Sequence, residues 1–408
     1  MFSPLRLDAS WKDFFWGYVW ASLPRSWSAL SSPLEGWGDN HQRVELLSVR
    51  TGFDLALKAL HFPPGSEILM TAVNIADMGK IIEANGLVPV PVDVDPGTLL
   101  PDVDALEAKI SPRTKALLAA HLFGSWNNLD PLAELCKRRG LLFFEDLAQC
   151  FLGKGFTGHP QATLSFFSFG AIKRATALGG GVAFVRDPEL RAAILRLESD
   201  YPWQPASQYR QKLRKYFFVH VISKRPMYWL LVRVAPFIGI SHEKMMRGLV
   251  KGFPDPASLL RMIRQRAHPA IFRLLARKVN HFRPELLEDH KARIERLLTS
   301  INGRYTVLGN RAAKHTFWLL PLVCEDPENM LAHLRRQGFD ATRATTSLQV
   351  IVPQGGGRPE QIAPQAAWMM SHVVYVPFYP QTPLEHLIRV LAPEKPGLQP
   401  RTAEPIIR

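Results

Sequence analysis

The chain reads as an α/β protein built on a mainly parallel sheet. Two observations predict this. Short apolar, strand-like runs alternate with amphipathic helical stretches from about residue 50 to residue 200, and the links between them are short. Such alternation implies right-handed crossovers, with ligands expected outside the carboxyl ends of the strands.

The elements follow in order. Before residue 45, Trp11, Phe14, Phe15, Tyr18 and Val19 recur at helical spacing, with Trp16, Trp20 and Trp27 adding aromatic bulk. That segment suits docking on its own protein, on a partner subunit or in a membrane interface. RTGFDLALKAL is a helix with Thr51 and Gly52 at its N-terminus and an apolar stripe through Leu55, Leu57 and Leu60. A strand covers Ile68 to Met70, and VNIADMGKIIEANG is a helix closed by Gly86. LVPVPVDVD is a buried strand, Pro101 to Lys109 a helix, and Lys115 to Gly124 a strand. LDPLAELCKRRG is a helix capped by Gly140, and LLFFED a strand running out at Glu145 and Asp146.

Past the helix Asp187 to Glu198 the pattern changes. Residues 208–250 are basic and aromatic, with Pro226 and Pro236 breaking any long helix. Residues 258–300 are helical. A strand from Thr316 to Val323, a helix from Pro327 to Gln337, the strand HVVYVPFYP and the helix TPLEHLIRVLAP complete a smaller α/β unit. The expected division is an aromatic segment 1–44, a large domain 45–267 with its insert at about 201–267, a small domain 268–393 and a Pro-rich tail 394–408.

The 408 residues, 47% hydrophobic and 21% charged, are ordinary for a globular protein with a sizeable core. Cys136, Cys150 and Cys324 share no metal-ligand spacing, so no metal is expected, and an odd number of cysteines suits a reducing compartment. The net charge of +14 points to an anionic partner. No zinc-finger or RNP-like motif accompanies it, so no nucleic acid is expected. Cations lying beside aromatic residues between Arg210 and Lys278 fit an anionic lipid surface or a solvated basic face. No secretory signal and no apolar run of ~18 residues is visible, so the expectation is a cytoplasmic protein, with the inner membrane surface as a peripheral site.

The chemistry centres on Ser165 to Gly181, SFFSFGAIKRATALGGG. Here Lys173 lies between two turns beside three glycines, at the edge of the sheet. A lysine so held can be desolvated, lowered in pKa and aimed at a carbonyl, which suits imine chemistry.

EDLAQ, the lysine 27 residues beyond its aspartate, and the glycine-opened helix start form a set. With VPVPVDVD, ISPRTKALLAAHLFG, FFEDLAQ and SFGAIK, the chain resembles the DegT/DnrJ/StrS family of fold-type I, pyridoxal-phosphate (PLP) dependent sugar aminotransferases. The resemblance runs over about residues 45–200 and more weakly over about 268–393. It implies pyridoxal 5'-phosphate as cofactor, and a homodimer that completes each active site from two subunits. Lys173 would be the Schiff-base lysine and general acid/base, and Asp146 the partner of the ring nitrogen. Gln149 would reach the phenolic oxygen and Ser168 the phosphate, joined by Thr51 and the backbone N–H groups of Gly52 and Phe53.

The chain also departs from the family pattern. Thr51-Gly52-Phe53 stands for the usual Ser-Gly-Thr, Asn74 for a ring-stacking aromatic, and Arg174 for an asparagine. Arg174 is thereby a candidate for an anionic substrate group, and His121 a candidate near the cofactor. The implied reaction moves an amino group from a glutamate-like donor to a carbonyl acceptor, a keto-sugar or another biosynthetic intermediate. A PLP lyase and a non-catalytic, membrane-peripheral protein reusing the fold are the alternatives.

Overall fold

A seven-stranded sheet forms the centre of the computed structural model, which describes residues 1–4, 6–24, 34–234, 256–301, 303–343 and 347–392. In chain order its first part contains α1 (Trp11–Ser22), β1 (Arg43–Leu46), α2 (Val49–Leu60), β2 (Glu67–Thr71), β3 (Val73–Ile75), α3 (Ala76–Ala84) and β4 (Val88–Val92). Then come α4 (Val103–Glu107), β5 (Thr114–Ala120), β6 (Ser125–Trp126), α5 (Asp130–Arg139), β7 (Leu142–Asp146), β8 (Leu164–Ser168), β9 (Gly181–Val185) and α6 (Pro188–Ser199).

The sheet order is β1-β9-β8-β7-β5-β2-β4. Strands β4, β2, β5, β7 and β8 are parallel; β9 runs antiparallel to β8 and to β1. Side chains alternate across the sheet and both faces are covered. Ile68, Met70, Leu118 and Phe144 pack with Phe53 of α2 on one face, while Leu69, Leu117 and Phe143 pack with Leu132 and Leu135 of α5 on the other. Each such fully buried side chain contributes about 2 kcal/mol. A third cluster joins Phe167 and Phe169 to Trp37, whose ring meets Phe151, Phe167, Phe169 and Phe184 edge to face.

The insert holds α7 (Ala206–Ile222) and α8 (Arg225–Val234), followed by α9 (Pro256–Ile263) and α10 (Ala270–Asn280). Pro226 separates α7 from α8 by sitting in the first turn of α8, where its missing N–H costs nothing. Pro236 and Trp27 lie outside the described residues. Helix α10 buries Ile271, Leu274 and Leu275 in the same cluster as Trp37, although the sequence assigns it to the smaller unit.

The C-terminal part contains α11 (Glu285–Ile301), β10 (Thr306–Val307), β11 (Lys314–His315), β12 (Leu320–Val323), α12 (Pro327–Arg336), β13 (Leu348–Val350), α13 (Pro359–Ile362), α14 (Pro364–His372), β14 (Val373–Val376) and α15 (Leu384–Leu391). Strands β10, β12 and β14 form an antiparallel sheet, covered by Ile294 and Leu297 of α11 and by Leu387 and Leu391 of α15. Two short antiparallel pairs, β11 with β6 and β13 with β3, fasten this part to the loops after β5 and β2.

Three boundaries differ from the sequence reading. Helix α2 begins at Val49, with Ser48 as N-cap, so Thr51 and Gly52 lie inside its first turns. The expected strand from Thr316 to Val323 is interrupted: Phe317 takes φ 46°, and regular pairing resumes at Leu320. Strand β5 stops at Ala120, which leaves His121 to Gly124 as a loop.

Candidate active site

The carboxyl ends of β7, β5 and β8 lie side by side, with Asp146 opposite Ala120 on one neighbour and Phe166 on the other. Asp146 is buried, and its Oδ1 accepts the Ala148 N–H at 2.9 Å. Burial pushes its carboxyl above the ordinary aspartate range. The Ala148 N–H, Lys173 and His121 pull against that shift, while Glu145 adds to it.

Glu145, one residue earlier, points to the other face of the sheet and anchors a buried network. It accepts from the Ser165 hydroxyl at 2.9 Å and the His159 N–H at 2.6 Å, and lies 3.1 Å from His121 Nε2. Burial alone would raise this carboxyl; its contacts with His121, the His159 N–H and Ser165 hold it below the ordinary glutamate range. His121 is therefore wedged between the two acidic positions, its own N–H donating to the Asp146 carbonyl at 3.0 Å.

Strand β8 ends at Ser168, and the chain turns tightly to Lys173, whose N–H donates to the Gly170 carbonyl at 3.0 Å. A Cβ on Gly170 would lie 3.7 Å from Ser168 Oγ and 4.0 Å from Lys173 Cγ, so the two side chains flank the same glycine. Lys173 Nζ sits 4.0 Å from the centre of the Trp318 ring, a cation–π contact, and Trp318 Nε1 donates to the Ile172 carbonyl at 2.8 Å. Burial lowers the amine to about 8; Asp146 raises it and Arg50 lowers it further. The neutral amine that imine formation needs is thus accessible near neutral pH.

The surrounding backbone is strained. Ala175, Leu178, Phe123 and Phe317 all have positive φ although none is glycine. Thr176 Oγ1 donates to the Gly170 carbonyl at 2.7 Å, and the Ala175 N–H donates to Asp8 Oδ2 at 2.6 Å. The N-terminal segment thus braces the lysine loop. Arg174 does so from the other side, its Nη2 donating to the Thr316 carbonyl at 2.6 Å and to the Phe317 carbonyl at 3.3 Å. Its guanidinium links the loop to the C-terminal part, so this candidate for an anionic substrate group is held by two carbonyls.

Several groups expected at the phosphate have protein neighbours of their own in this structure. The Gly52 N–H already donates to the Ser48 carbonyl at 3.1 Å, and the Thr51 hydroxyl donates to the Ile263 carbonyl at 2.9 Å. The Phe53 ring is wholly buried, edge-on to Phe144 and Phe166. Gly52 is small for packing: a Cβ there would lie 2.5 Å from Leu46 Cδ1 and 3.1 Å from the Phe166 ring.

Cations that the sequence reading passed over stand nearby. Arg50, in the first turn of α2, pairs with Asp77 at 2.6 Å and acts electrostatically on both Lys173 and Lys212. Lys212 on α7 points at the glycine run, 3.5 Å from where a Cβ on Gly179 would be. Burial brings its amine to about 8, with Arg50 and Lys215 lowering it too. Among the described residues no carboxylate pairs with Lys212. Lys212 was hidden in a run of cations, and Trp318 stands too far along the chain for any spacing argument.

These donors fit a phosphorylated pyridine. A buried carboxylate and a low-pKa lysine share one edge, with a hydroxyl and two cations beside them. Gln149 Oε1 is committed to the Phe123 N–H at 2.8 Å, which leaves its amide hydrogens to donate. Buried Thr71 Oγ1, Asn74 Nδ2, His121 Nδ1 and Ser125 Oγ have no hydrogen-bond partner, and all lie at or just past the carboxyl ends of β2 and β5. Asn74 stands on β3 opposite Gln349, where the family resemblance places an aromatic. Among the described residues no cluster could hold a metal ion.

A cavity of about 680 Å³ opens on the other side of the Lys173 loop. Its walls include Lys173, Arg174 and Trp318, the N-terminal residues Arg6 and Asp8, and Lys278 with Arg283. Asp146, Gln149, Ser168 and Asn74 do not line it, so Lys173 stands between the polar strand edge and this basic cavity.

Residues 40–214 match the DegT/DnrJ/EryC1/StrS aminotransferase family. The chain is 34% identical, over 177 residues, to the UDP-4-amino-4-deoxy-L-arabinose–oxoglutarate aminotransferase of Shewanella sediminis. The match covers 43% of this chain and 45% of that protein, and matches to the curated relatives span less than half their length. Helicobacter pylori PseC, an aminotransferase involved in the biosynthesis of pseudoaminic acid, superposes with a TM-score of 0.65 at 16% identity, over 96% of this chain and 97% of that one. Spr1654 of Streptococcus pneumoniae, in its PLP-form, does so with a TM-score of 0.65 at 17% identity, over 96% and 98%. The chain therefore has the α/β fold of these proteins along its length, and the family model matches residues 40–214 of it.

Proposed function

We propose that the protein is a PLP-dependent aminotransferase that moves an amino group from a glutamate-like donor to the carbonyl of a keto-sugar intermediate, working as a homodimer. The observation that carries this reading is Lys173: a half-buried amine brought to about 8, facing Asp146 electrostatically at the carboxyl edge of a parallel sheet. The family match supports it, and the dimer is what the resemblance to fold-type I enzymes implies.

When bound, the cofactor supplies an electron sink for the carbon next to the transferred nitrogen. The chain's own residues do the rest. Asp146, set deep at the strand end, would hold the proton and charge of the ring nitrogen. Gln149 would donate to the phenolic oxygen with the amide hydrogens that Phe123 leaves free. The Ser168 hydroxyl, Lys212 and Arg50 would hold the phosphate. Lys173 Nζ, whose neutral form is accessible near neutral pH, would take a proton from the reacting carbon and return it one position along. Trp318 covers that amine and limits the approach of water. The basic wall of the cavity, through Arg6 and Arg283, receives anionic groups of donor or acceptor.

The test is spectroscopic. Protein incubated with pyridoxal phosphate and desalted should keep a visible absorption band, and borohydride should fix the added mass on the peptide containing Lys173. Glutamate should bleach the band and a keto-sugar nucleotide should restore it. Lys173→Ala should lose all three effects. A band and label that survive in that variant would remove the lysine from its role; a band unmoved by any amino donor would favour lyase chemistry.

A further inference from the structure

Helices α1, α7 and α8 carry an aromatic and basic surface that the proposed reaction does not use. Ten of the seventeen large hydrophobic side chains exposed among the described residues lie on these three helices. On α1 they are Trp11, at 63% exposure, with Phe15, Trp16 and Tyr18; on α7 they are Phe217 and Phe218, at 64%. On α8 they are Met227, Trp229, Leu230 and Val234, of which Met227, Leu230 and Val234 recur at the spacing of one helix face. A patch of this kind marks an interaction site.

The helices form one platform. Phe14 of α1 packs edge-on against Phe217 at 5.5 Å, and a Cβ on Gly17 would meet Leu213 of α7 and Leu274 of α10. Arg210 donates to the Ala21 carbonyl at 2.9 Å. Helix α8 packs on α7 and is pinned from behind by the buried Tyr228 hydroxyl, which donates to Asp340. The outward side chains are thus held up by an ordered inner face rather than left over from a missing fold.

Charge selects the occupant. From Tyr201 to His242 the sequence contains no Asp or Glu, while α7, α8 and the link between them hold six Lys and Arg besides Lys212. Arg214, Lys215, Lys224 and Arg225 are exposed. Arg233 lies 4.3 Å from the Trp229 ring centre and Lys12 5.8 Å from that of Trp11, with charged heads beside rings as at a headgroup boundary. A second copy of this face would set cations against cations. A nucleic acid would satisfy the charge but not Met227, Leu230 and Val234. An anionic bilayer offers both negative headgroups and an acyl boundary. Among the described residues no helix is long and apolar enough to cross a membrane, so the surface would lie on it. Helices α1 and α8 also fall outside the family-matched segment 40–214.

We propose that α1, α7 and α8 form a docking surface for an anionic lipid bilayer, through insertion of their aromatic and aliphatic side chains among acidic headgroups. Ser10, which caps α1, also lines the basic cavity beside Lys173, so docking and cavity share one element.

Sedimentation of the purified full-length protein with vesicles tests this independently of any enzymatic reading. The protein should pellet with vesicles of equal phosphatidylcholine and phosphatidylglycerol and remain in the supernatant with phosphatidylcholine alone. The charge reversal Arg214→Glu/Lys215→Glu/Lys224→Glu should weaken binding on the order of a hundredfold. Phe218→Ser/Trp229→Ser should weaken it and reduce the blue shift of tryptophan emission on vesicle addition, to which Trp11 and Trp16 still contribute. All of these positions are exposed, so circular dichroism should be unchanged. Equal binding to neutral and anionic vesicles, or binding unaltered in both variants, would overturn the proposal. So would variants that only convert a dimer to monomers, or wild-type protein that retains nucleic acid and ignores vesicles.

Discussion

Asp146 and Lys173 set each other's proton affinity, and the sign of that coupling is measurable. Burial lowers the Lys173 amine to about 8, and the Asp146 charge is what keeps it from falling further. In apo protein the rate at which an amine reagent labels Lys173, followed by peptide mass, should rise with pH to a midpoint near 8. Asp146→Asn removes the raising charge, so its midpoint should move to lower pH; an unmoved or higher midpoint would break the link between the two residues. Glu145 supports a different prediction. Its contacts leave it below the ordinary glutamate range despite burial, so it contributes stability that is present above that range and is lost as pH falls through its lowered value. Glu145→Ala strands the Ser165 hydroxyl, the His159 N–H and the His121 ring in a buried site. It should cost about 2–4 kcal/mol at neutral pH by urea denaturation and progressively less in acid.

At the scale of elements, the start of α2 decides what Gly52 is for. The helix begins at Val49 and commits the Gly52 N–H to Ser48, while the missing side chain admits Leu46 and Phe166. Gly52→Ala should therefore destabilise the apo protein by about 1–3 kcal/mol, because both neighbours are themselves buried. A variant of unchanged apo stability and weakened cofactor binding would instead restore the glycine to the phosphate. This is where legibility from sequence ended. Strands such as Leu142–Asp146 and helices such as Asp130–Arg139 announced themselves through apolar runs and a glycine cap, and the aspartate and lysine motifs stood at recognisable spacing. Three features left no local trace. Ser48 was overlooked because Thr51-Gly52 looks like a helix opening. The break at Phe317 depends on Trp318 folding over Lys173, a contact 145 residues distant in sequence. Arg174 is spent on carbonyls of another unit, which no pattern around the lysine could signal.

For the whole molecule, the first residues of the chain act as a strap. The Phe2 N–H donates to the Gly338 carbonyl at 2.8 Å in the C-terminal part, and Asp8 holds the Ala175 N–H behind the catalytic candidate. Asp13 caps α1 through Ser10 and pairs with Arg277 at 3.1 Å and Lys278 at 3.4 Å on α10. Burial would raise the Asp13 carboxyl, but Lys278, the Ser10 contacts and Arg277 outweigh it and leave it lowered. Because the strap forms a wall of the basic cavity, its removal should act on the Lys173 loop as well as on overall stability. Deleting residues 1–9 keeps Ser10 as the helix cap but removes Arg6, the Asp8 brace and the Phe2 anchor. The shortened protein should still fold, with a cooperative thermal transition. It should release pyridoxal phosphate about tenfold faster, since the Asp8–Ala175 bond is a charge-assisted hydrogen bond worth ~1.5–3 kcal/mol. Asp8→Asn alone should give a smaller change in the same direction. Retention as tight as in the full chain would show that the loop holds its strained shape unaided, with Arg174 and Thr176 sufficient to fix it.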